Sequence, residues 1–448
     1  MGTALMTGML PLLREKFHRL EDLGVVVILG LMAVLPVMEV IARELFATSI
    51  TGSIVTVQHL TLWIGFTGAM LASREGRLLT LAGDTAWLRE RWGKWSHLIA
   101  DVASVGITLT LMVASYQLVA SERDFPRTIV GPIQIWMAQG VMPVGFAVIA
   151  WRLLRRTSPQ WSYRLVVLAG VALLAFLGMG LELQGSWAIY AGLAGLLLAG
   201  MLGAPIYVIL GGAAVLLFWN EWGVLAVIPA TTYSIVVHPM LPTIPLFTLA
   251  GYFMAESGAS RRLVRVFRAW FGWMPGGTPV VAVLVCAFFT SFTGGSGVTI
   301  LAVGGLMYPM LLKEHYSKKF STGLLTASGS LGLLFPPSLP VILYGIRSQT
   351  PIDQLFLAGI LPGIVLIAMV AAWSVRQGLV TKTVRTPFRW PEAWGAFLEA
   401  KWEIFIPVII LGGIFGGYTT LVEAAAITAV YTFVIEVFVY RDLRRGKD

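Results

Sequence analysis

Of 448 residues, 57% are apolar and 12% charged, and the mean hydropathy is +0.80, whereas about a quarter of the residues in a soluble domain are charged. The formal net charge of +9 would point to nucleic acid in a soluble chain, but these apolar segments are long and nearly uncharged, and basic residues of membrane chains collect in cytoplasmic loops. Composition therefore excludes a water-soluble enzyme and disfavours a nucleic-acid partner. A single cysteine, Cys286, excludes an intrachain disulfide framework, and His18, His59, His97, His238 and His315 have no metal-ligand spacing.

The chain opens with Arg14, Lys16 and Arg19 ahead of an apolar run over 24–41. No small-residue cleavage site follows, and the run continues into Arg43 and Glu44, so it reads as a spanning helix and not as a signal peptide. Spans are predicted at 24–43, 54–73, 99–120 and 134–151. Up to Arg164, twelve Lys and Arg fall in the N-terminal, second and fourth connections, against three elsewhere (Arg43, Arg123, Arg127), which places both ends of this four-helix module in the cytoplasm. Segment 88–98 mixes Arg89, Arg91 and Lys94 with Trp92 and Trp95, the pattern of a helix lying against membrane lipid at headgroup depth.

A further span over 165–182 carries the chain out. Glycine then becomes frequent and the helices look interrupted: 188–203 and 204–219 joined at Gly203, an amphipathic piece at 223–237, and a span at 243–257. Over 260–273, Arg261, Arg262, Arg265 and Arg268 alternate with Leu263, Val264, Val266 and Phe267, which predicts an amphipathic cytoplasmic arm. Arg268 before, and Lys313, Lys318 and Lys319 after, require residues 280–312 to enter and return on one side. The break Ser291-Phe-Thr-Gly-Gly-Ser-Gly297 leaves about 11 apolar residues on the way in, too few to cross at 1.5 Å per residue, so a re-entrant helical hairpin is expected.

Irregular backbone at membrane depth is tolerated where it is buried in protein or lines a polar cavity, which makes that hairpin tip the first functional candidate. Ser291, Thr293 and Ser296 supply hydroxyls, while Gly294, Gly295 and Gly297 let carbonyls and N–H groups turn toward a ligand. Carbonyls at a helix C-terminus favour a cation and N–H groups at the next N-terminus an anion. The second candidate is Ser328-Gly-Ser-Leu-Gly-Leu-Leu-Phe-Pro-Pro-Ser338, containing Ser328, Gly329, Ser330, Pro336, Pro337 and Ser338, where the prolines interrupt the helical ladder. Two broken elements side by side are what a midplane ion and substrate site needs; the plainer reading is close packing of small residues and a proline kink. A phosphate loop would need a lysine and a preceding strand, and a serine hydrolase at Ser296 would need a base. Asp101, Glu256, Glu423 and Glu436 are intramembrane acids with no evident pairing.

At these motifs the sequence resembles the large membrane subunit of the TRAP transporters, tripartite secondary carriers of organic acids. The resemblance lies in Pro245-Leu-Phe-Thr-Leu-Ala-Gly-Tyr-Phe-Met254, Pro275-Gly-Gly277, residues 286–297, Tyr316 with Phe320-Ser-Thr-Gly323, and above all 329–338 with Tyr344-Gly345. The start of the chain is similar to the small membrane subunit, including Arg74-Glu-Gly-Arg77, so the whole resembles a fused small-plus-large protein of the DctQ-DctM type. This implies an all-helical polytopic inner-membrane protein with an ion-transporter-like elevator fold. Residues 1–160 would be the small-subunit-like module, 161–185 the linking helix and 186–448 the transporter module. It further implies no enzyme activity and no resident cofactor. Sodium is the expected coupling ion, held at 291–297 and 328–338, an organic acid the substrate, and a separate periplasmic binding protein the partner. A first repeat is expected at about 188–345 and a second from about 403, at 403–417 and 419–438 with Thr420 and Glu423-Ala-Ala-Ala426, lacking roughly 110 residues on the expectation of equal repeats. The alternatives are a non-transporting membrane scaffold or partner subunit, or a transporter fragment needing a second chain.

Overall fold

The computed structural model describes residues 2–81, 93–158, 160–180, 186–381 and 387–443. The elements are helical, apart from a small antiparallel ribbon of Thr128–Val130 with Ile133–Gln134 that hydropathy did not signal. Among the described residues seven helices are long and apolar enough to cross a membrane, or eight if a pair bent by 43° is one span. The protein is a polytopic helical membrane protein. Residues 88–92 of the segment 88–98 lie outside the described residues, and Lys94 and Trp95 begin a helix that continues to Asp124.

The chain divides into two compact units, one comprising Met1–Ile28 with Val55–His238 and the other Leu29–Ile54 with Pro239–Asp448. Helix α1 (Gly2–Phe46) contributes to both and is far longer than the predicted span. In the first unit, Arg74 at the end of α2 (Ser53–Glu75) donates to Asp22 at 2.6 Å and Glu21 at 3.4 Å, and Arg152 donates to Glu21 at 2.5 Å.

The first unit is organised on α3 (Lys94–Asp124), which packs against α4 (Ile135–Gln139), α5 (Val141–Thr157), α6 (Trp161–Gly180), α7 (Ser186–Met201), α8 (Ile206–Trp222) and α9 (Val227–Val236). Its small buried residues Ser104, Thr108 and Ser115 return their hydroxyls to carbonyls four residues earlier, which satisfies them inside an apolar bundle. Thr108 also meets the Tyr207 hydroxyl at 2.8 Å, and His59 meets the Tyr233 hydroxyl at 2.8 Å.

The second unit holds α10 (Thr243–Glu256), α11 (Ala259–Phe271), α12 (Gly277–Thr293), α13 (Ser296–Lys313), α14 (Lys318–Leu331), α15 (Leu339–Ser348), α16 (Ile352–Thr381), α17 (Trp390–Glu399), α18 (Lys401–Phe415) and α19 (Leu421–Val434). Helix α12 is buried along nearly its whole length and packs on α10, α11, α14 and α16. It is apolar all round for that reason, as a helix surrounded by others must be. It runs 17 residues, longer than the 11 read from the apolar run, while α13 has 18. At 1.5 Å per residue α12 reaches roughly 25 Å, short of a hydrocarbon core of about 30 Å, whereas α13 is one of the seven helices long and apolar enough to cross.

The predicted arm, α11, is not simply a basic exposed face. Arg262 is buried and donates to Glu403 through Nε, to Glu436 at 2.8 Å and to Asp442 at 2.6 Å, with its guanidinium 3.6 Å from the centre of the Tyr440 ring. Burial alone would lower the guanidinium's pKa, but Glu403, Asp442 and Glu436 together raise it above its ordinary value.

The acids thought unpaired are corrected accordingly. Glu436 pairs with Arg262, Glu423 with Arg43 at 2.7 Å, and Asp101 accepts from the Tyr163 hydroxyl at 3.2 Å; Glu256 is exposed. Glu423 also forms a capping box with Thr420 at the start of α19.

Replacing Arg262 by Met leaves two buried carboxylates without their cation and should destabilise the protein by about 3–5 kcal/mol. The double variant R262M/E436Q should recover part of that loss. Thermal unfolding of the purified detergent-solubilised chain checks both, and an unchanged midpoint for R262M would remove the cluster from any structural role.

Candidate functional site at a helical hairpin and a broken helix

Helix α12 ends at Gly294, whose φ of +61° is the left-handed conformation that glycine adopts freely and whose N–H donates to the Thr290 carbonyl at 3.0 Å. Gly295 is extended, and α13 begins at Ser296. The tip is therefore a two-residue turn between two helices, and Thr290, Thr293 and Thr299 line its inner side.

These three hydroxyls form one cluster. Thr290 Oγ1 lies 2.9 Å from Thr299 Oγ1 and within 2.7 Å of the Cys286 carbonyl, and Thr293 Oγ1 lies 3.0 Å from Thr299 Oγ1. Thr290 Oγ1 also reaches the Gly329 carbonyl of α14 at 3.0 Å, so hairpin and broken helix meet at this point.

The break begins where α14 tightens into a 3-10 turn over Gly332–Leu334 and ends where α15 starts at Leu339. Pro336 and Pro337, joined by a cis peptide bond, offer no N–H to continue the ladder. Two bonds close the gap: Phe335 N–H donates to the Gly332 carbonyl at 3.1 Å, and the Ser338 hydroxyl donates to the Leu333 carbonyl. Gly332 is pressed onto α12. A Cβ there would lie 2.2 Å from the Ala287 carbonyl oxygen and 2.6 Å from Thr290 Cβ.

The structure gathers Thr293, Gly294, Gly295 and Gly329 of the predicted residues around this contact. Ser328, the residue before Gly329 on α14, is wholly buried, and its hydroxyl has no hydrogen-bond partner. Ser291 is buried but returns its hydroxyl to the Phe288 carbonyl at 2.7 Å. Ser296 and Pro336 are half-buried, Pro337 and Ser338 buried, and Gly297 and Ser330 exposed. Thr290 and Thr299 escaped the sequence reading. Their signal was available, since Thr290 and Thr293 stand one helical turn apart before the glycines, but hydroxyls in apolar runs ordinarily mark close packing.

Chemically, the cluster is rich in neutral oxygen. Three hydroxyl protons are shared among three hydroxyl oxygens and the carbonyls of Cys286, Gly295 and Gly329, with no cationic side chain among the contacts. No group of three or more His, Cys, Asp or Glu able to hold a metal occurs among the described residues. Such a site suits a hard cation bound by uncharged oxygen.

Residues 190–447 match the family profile of the tripartite ATP-independent periplasmic transporter, DctM component. The chain belongs to that family. Residues 32–162 match the DctQ component of the same transporters, so both membrane components lie in one chain.

Among curated relatives, the isethionate TRAP transporter permease protein DctMQ of Oleidesulfovibrio alaskensis is 30% identical over 408 residues, covering 86% of this chain and 62% of the relative. The C4-dicarboxylate TRAP transporter large permease protein DctM of Vibrio cholerae is 36% identical over 253 residues, 55% of this chain and 56% of the relative. The ectoine TRAP transporter large permease protein TeaC of Halomonas elongata is 34% identical over 248 residues, 54% of this chain and 58% of the relative. The chain thus spans 56 to 62% of the length of these relatives, each named as a permease and none as an enzyme.

Substituting Gly332 by Ala forces α14 away from the Ala287 carbonyl and should cost about 1–3 kcal/mol by overpacking. Gly297→Ala, with open space around its position, should change stability by less than about 1 kcal/mol. Comparing the two unfolding midpoints tests whether the contact between hairpin and break is as tight as described.

Proposed function

We propose that this chain serves sodium-driven secondary uptake of a small organic anion across the inner membrane, with its N-terminus in the cytoplasm and substrate delivered by a separate periplasmic binding protein. The observation that carries the proposal is the meeting of the hairpin tip with the broken helix. A neutral oxygen cluster joins the two interrupted helices through Thr290 and the Gly329 carbonyl, and the buried Ser328, one residue before Gly329, has an unpartnered hydroxyl. In this reading Thr290, Thr293, Thr299 and Ser328, with carbonyls of 295 and 329, hold sodium. The N-terminal turns of α13 and α15 present N–H groups to the carboxylate or other acidic group of the substrate.

Sodium is favoured over a proton as coupling ion by the state of the carboxylates. Among the described residues the buried ones, Glu39, Glu403, Glu423 and Glu436, are each engaged elsewhere: Glu39 by Ile50 N–H and the Ser53 hydroxyl, Glu423 by Arg43, and Glu403 and Glu436 by Arg262. The named cargoes of the relatives include C4-dicarboxylates and isethionate, which share a small anionic group. In an elevator mechanism, the hairpin and the broken helix move together as the transported body, since Gly332 and Thr290 lock them to each other.

Sodium chloride should raise the unfolding midpoint of the purified chain more than potassium or choline chloride at equal concentration. Thr299→Val and Ser328→Ala should each weaken the apparent sodium affinity by roughly 5- to 100-fold, the worth of one lost polar ligand. In proteoliposomes carrying the complete system with its binding protein, an imposed sodium gradient should drive uptake of the anion. Equal stabilisation by all three salts, with uptake indifferent to sodium, would overturn the assignment.

A further inference from the structure

Two short helices of the second unit lie together without crossing anything. Helix α11 has 13 residues and α17 has 10, roughly 20 and 15 Å long, and neither can span a hydrocarbon core of about 30 Å. They pack through Val266, Ala396 and Ala400, with Trp270 and Ile404 around that contact. Arg262 fixes α11 from its buried side, so the outward face of this pair is held in place.

That face carries a cavity of about 370 Å³ with Arg265, Arg268 and Arg389 in its lining, against Glu392 and Glu399. Arg265 donates to Glu399 at 2.6 Å and Arg389 to Glu392 at 3.0 Å. Among the described residues Arg268 has no ion-pair or hydrogen-bond partner, and the described lining sets three arginines against two glutamates, one positive charge in excess. Arg261, at helical spacing i, i+4, i+7 with Arg265 and Arg268, is exposed on the same face and has no ion pair among the described residues.

Aromatic residues stand next to the lining residues in the sequence: Trp270 after Ala269, Phe388 and Trp390 on either side of Arg389, and Trp394 before Gly395. Trp390 is 59% exposed and Trp394 48% exposed, Phe388 lies 6.1 Å from Trp390, and Trp270 meets Trp390 edge-on at 5.9 Å. Tryptophan beside arginine, on amphipathic helices too short to span, is the chemistry of the membrane–water interface.

We infer that this cavity is a binding site for the headgroup of an anionic phospholipid. The phosphodiester sits between Arg268 and Arg389, and the acyl chains run past Trp390 and Trp394. A free phosphate would satisfy the arginines equally, but it would leave the exposed aromatic residues with no role. The charge excess favours an anionic lipid over a zwitterionic one, and basic pockets between helices at a membrane face recognise such headgroups.

The test is lipid retention by the full-length chain, read by native mass spectrometry and by thermal unfolding in detergent. The additions are phosphatidylglycerol, phosphatidylcholine or inorganic phosphate at matched concentrations. Phosphatidylglycerol should be retained and should raise the midpoint, whereas phosphatidylcholine and inorganic phosphate should not. Arg268→Gln, which disturbs no existing bond, should weaken the apparent phosphatidylglycerol affinity by about fivefold, and R268Q/R389Q by about 25-fold. Arg77→Gln, an exposed basic residue of the first unit, should leave it unchanged. Equal retention of both lipids, full competition by inorganic phosphate, or wild-type retention by R268Q/R389Q would each overturn the site. Because the readout is lipid binding and not uptake, its failure is separable from failure of the transport reading.

Discussion

Backbone that leaves the helix in an apolar interior must find its hydrogen bonds within the protein, and this constraint governs the second unit. Two helices are interrupted there, and each interruption is closed against the other. The turn at 294–295 returns an N–H to Thr290, whose hydroxyl also reaches the Gly329 carbonyl of the second broken element. The Phe335 N–H and the Ser338 hydroxyl supply what the prolines remove. The hydroxyls are thus needed to satisfy the backbone before they can serve any ligand. A chain that breaks helices in this way acquires an oxygen-lined junction as a by-product of staying folded.

Charge is handled in the opposite manner. Formal charges are kept away from this junction and tied into compact clusters elsewhere. Arg262 gathers carboxylates contributed by α18 and by the segment following α19, and Arg43 meets the capping box at Thr420 and Glu423. Buried pairs of this kind add little net stability when complete but cost much when one partner is lost. Their effect is to fix which segments lie together. The basic face of α11 is divided accordingly, with Arg262 turned inward as an anchor and Arg265 and Arg268 outward to the cavity beside α17.

The parts of this architecture that were legible in the sequence are those written in local punctuation. Gly294-Gly295 announced a turn, and Pro336-Pro337 a break, because those residues alter the backbone wherever they stand. The hydropathy runs located the helices, although α1 and α12 proved longer than their apolar runs, because a helix continues through polar residues that hydropathy leaves out. The pairing of acids with bases was invisible. Arg262 and its acceptors are separated by 141 to 180 residues, and Arg43 and Glu423 by 380. No periodicity links positions so far apart, so Glu423 and Glu436 looked like stray intramembrane acids. Thr290 and Thr299 were missed for a different reason: within an apolar helix a threonine that joins a hydroxyl cluster and one that merely packs present the same pattern.

The separation of neutral from charged groups also constrains what the junction can bind. A carboxylate facing a bound cation in an apolar setting would carry a net charge in one half of a transport cycle, and would have to be neutralised by a proton when the cation left. A ring of hydroxyls and carbonyls carries no such obligation, because it is neutral when empty and its members can bond to one another. The contacts among Thr290, Thr293 and Thr299 are bonds of that kind. A cation entering would replace weak hydroxyl–hydroxyl contacts with ion–dipole ones, and a cation leaving would restore them. Under the proposed sodium-coupled uptake, the negative charge of the substrate would balance the ion it travels with, so that the pair would cross the apolar interior more cheaply than either alone. On this argument the two interruptions belong beside each other for an electrostatic reason as well as a hydrogen-bonding one.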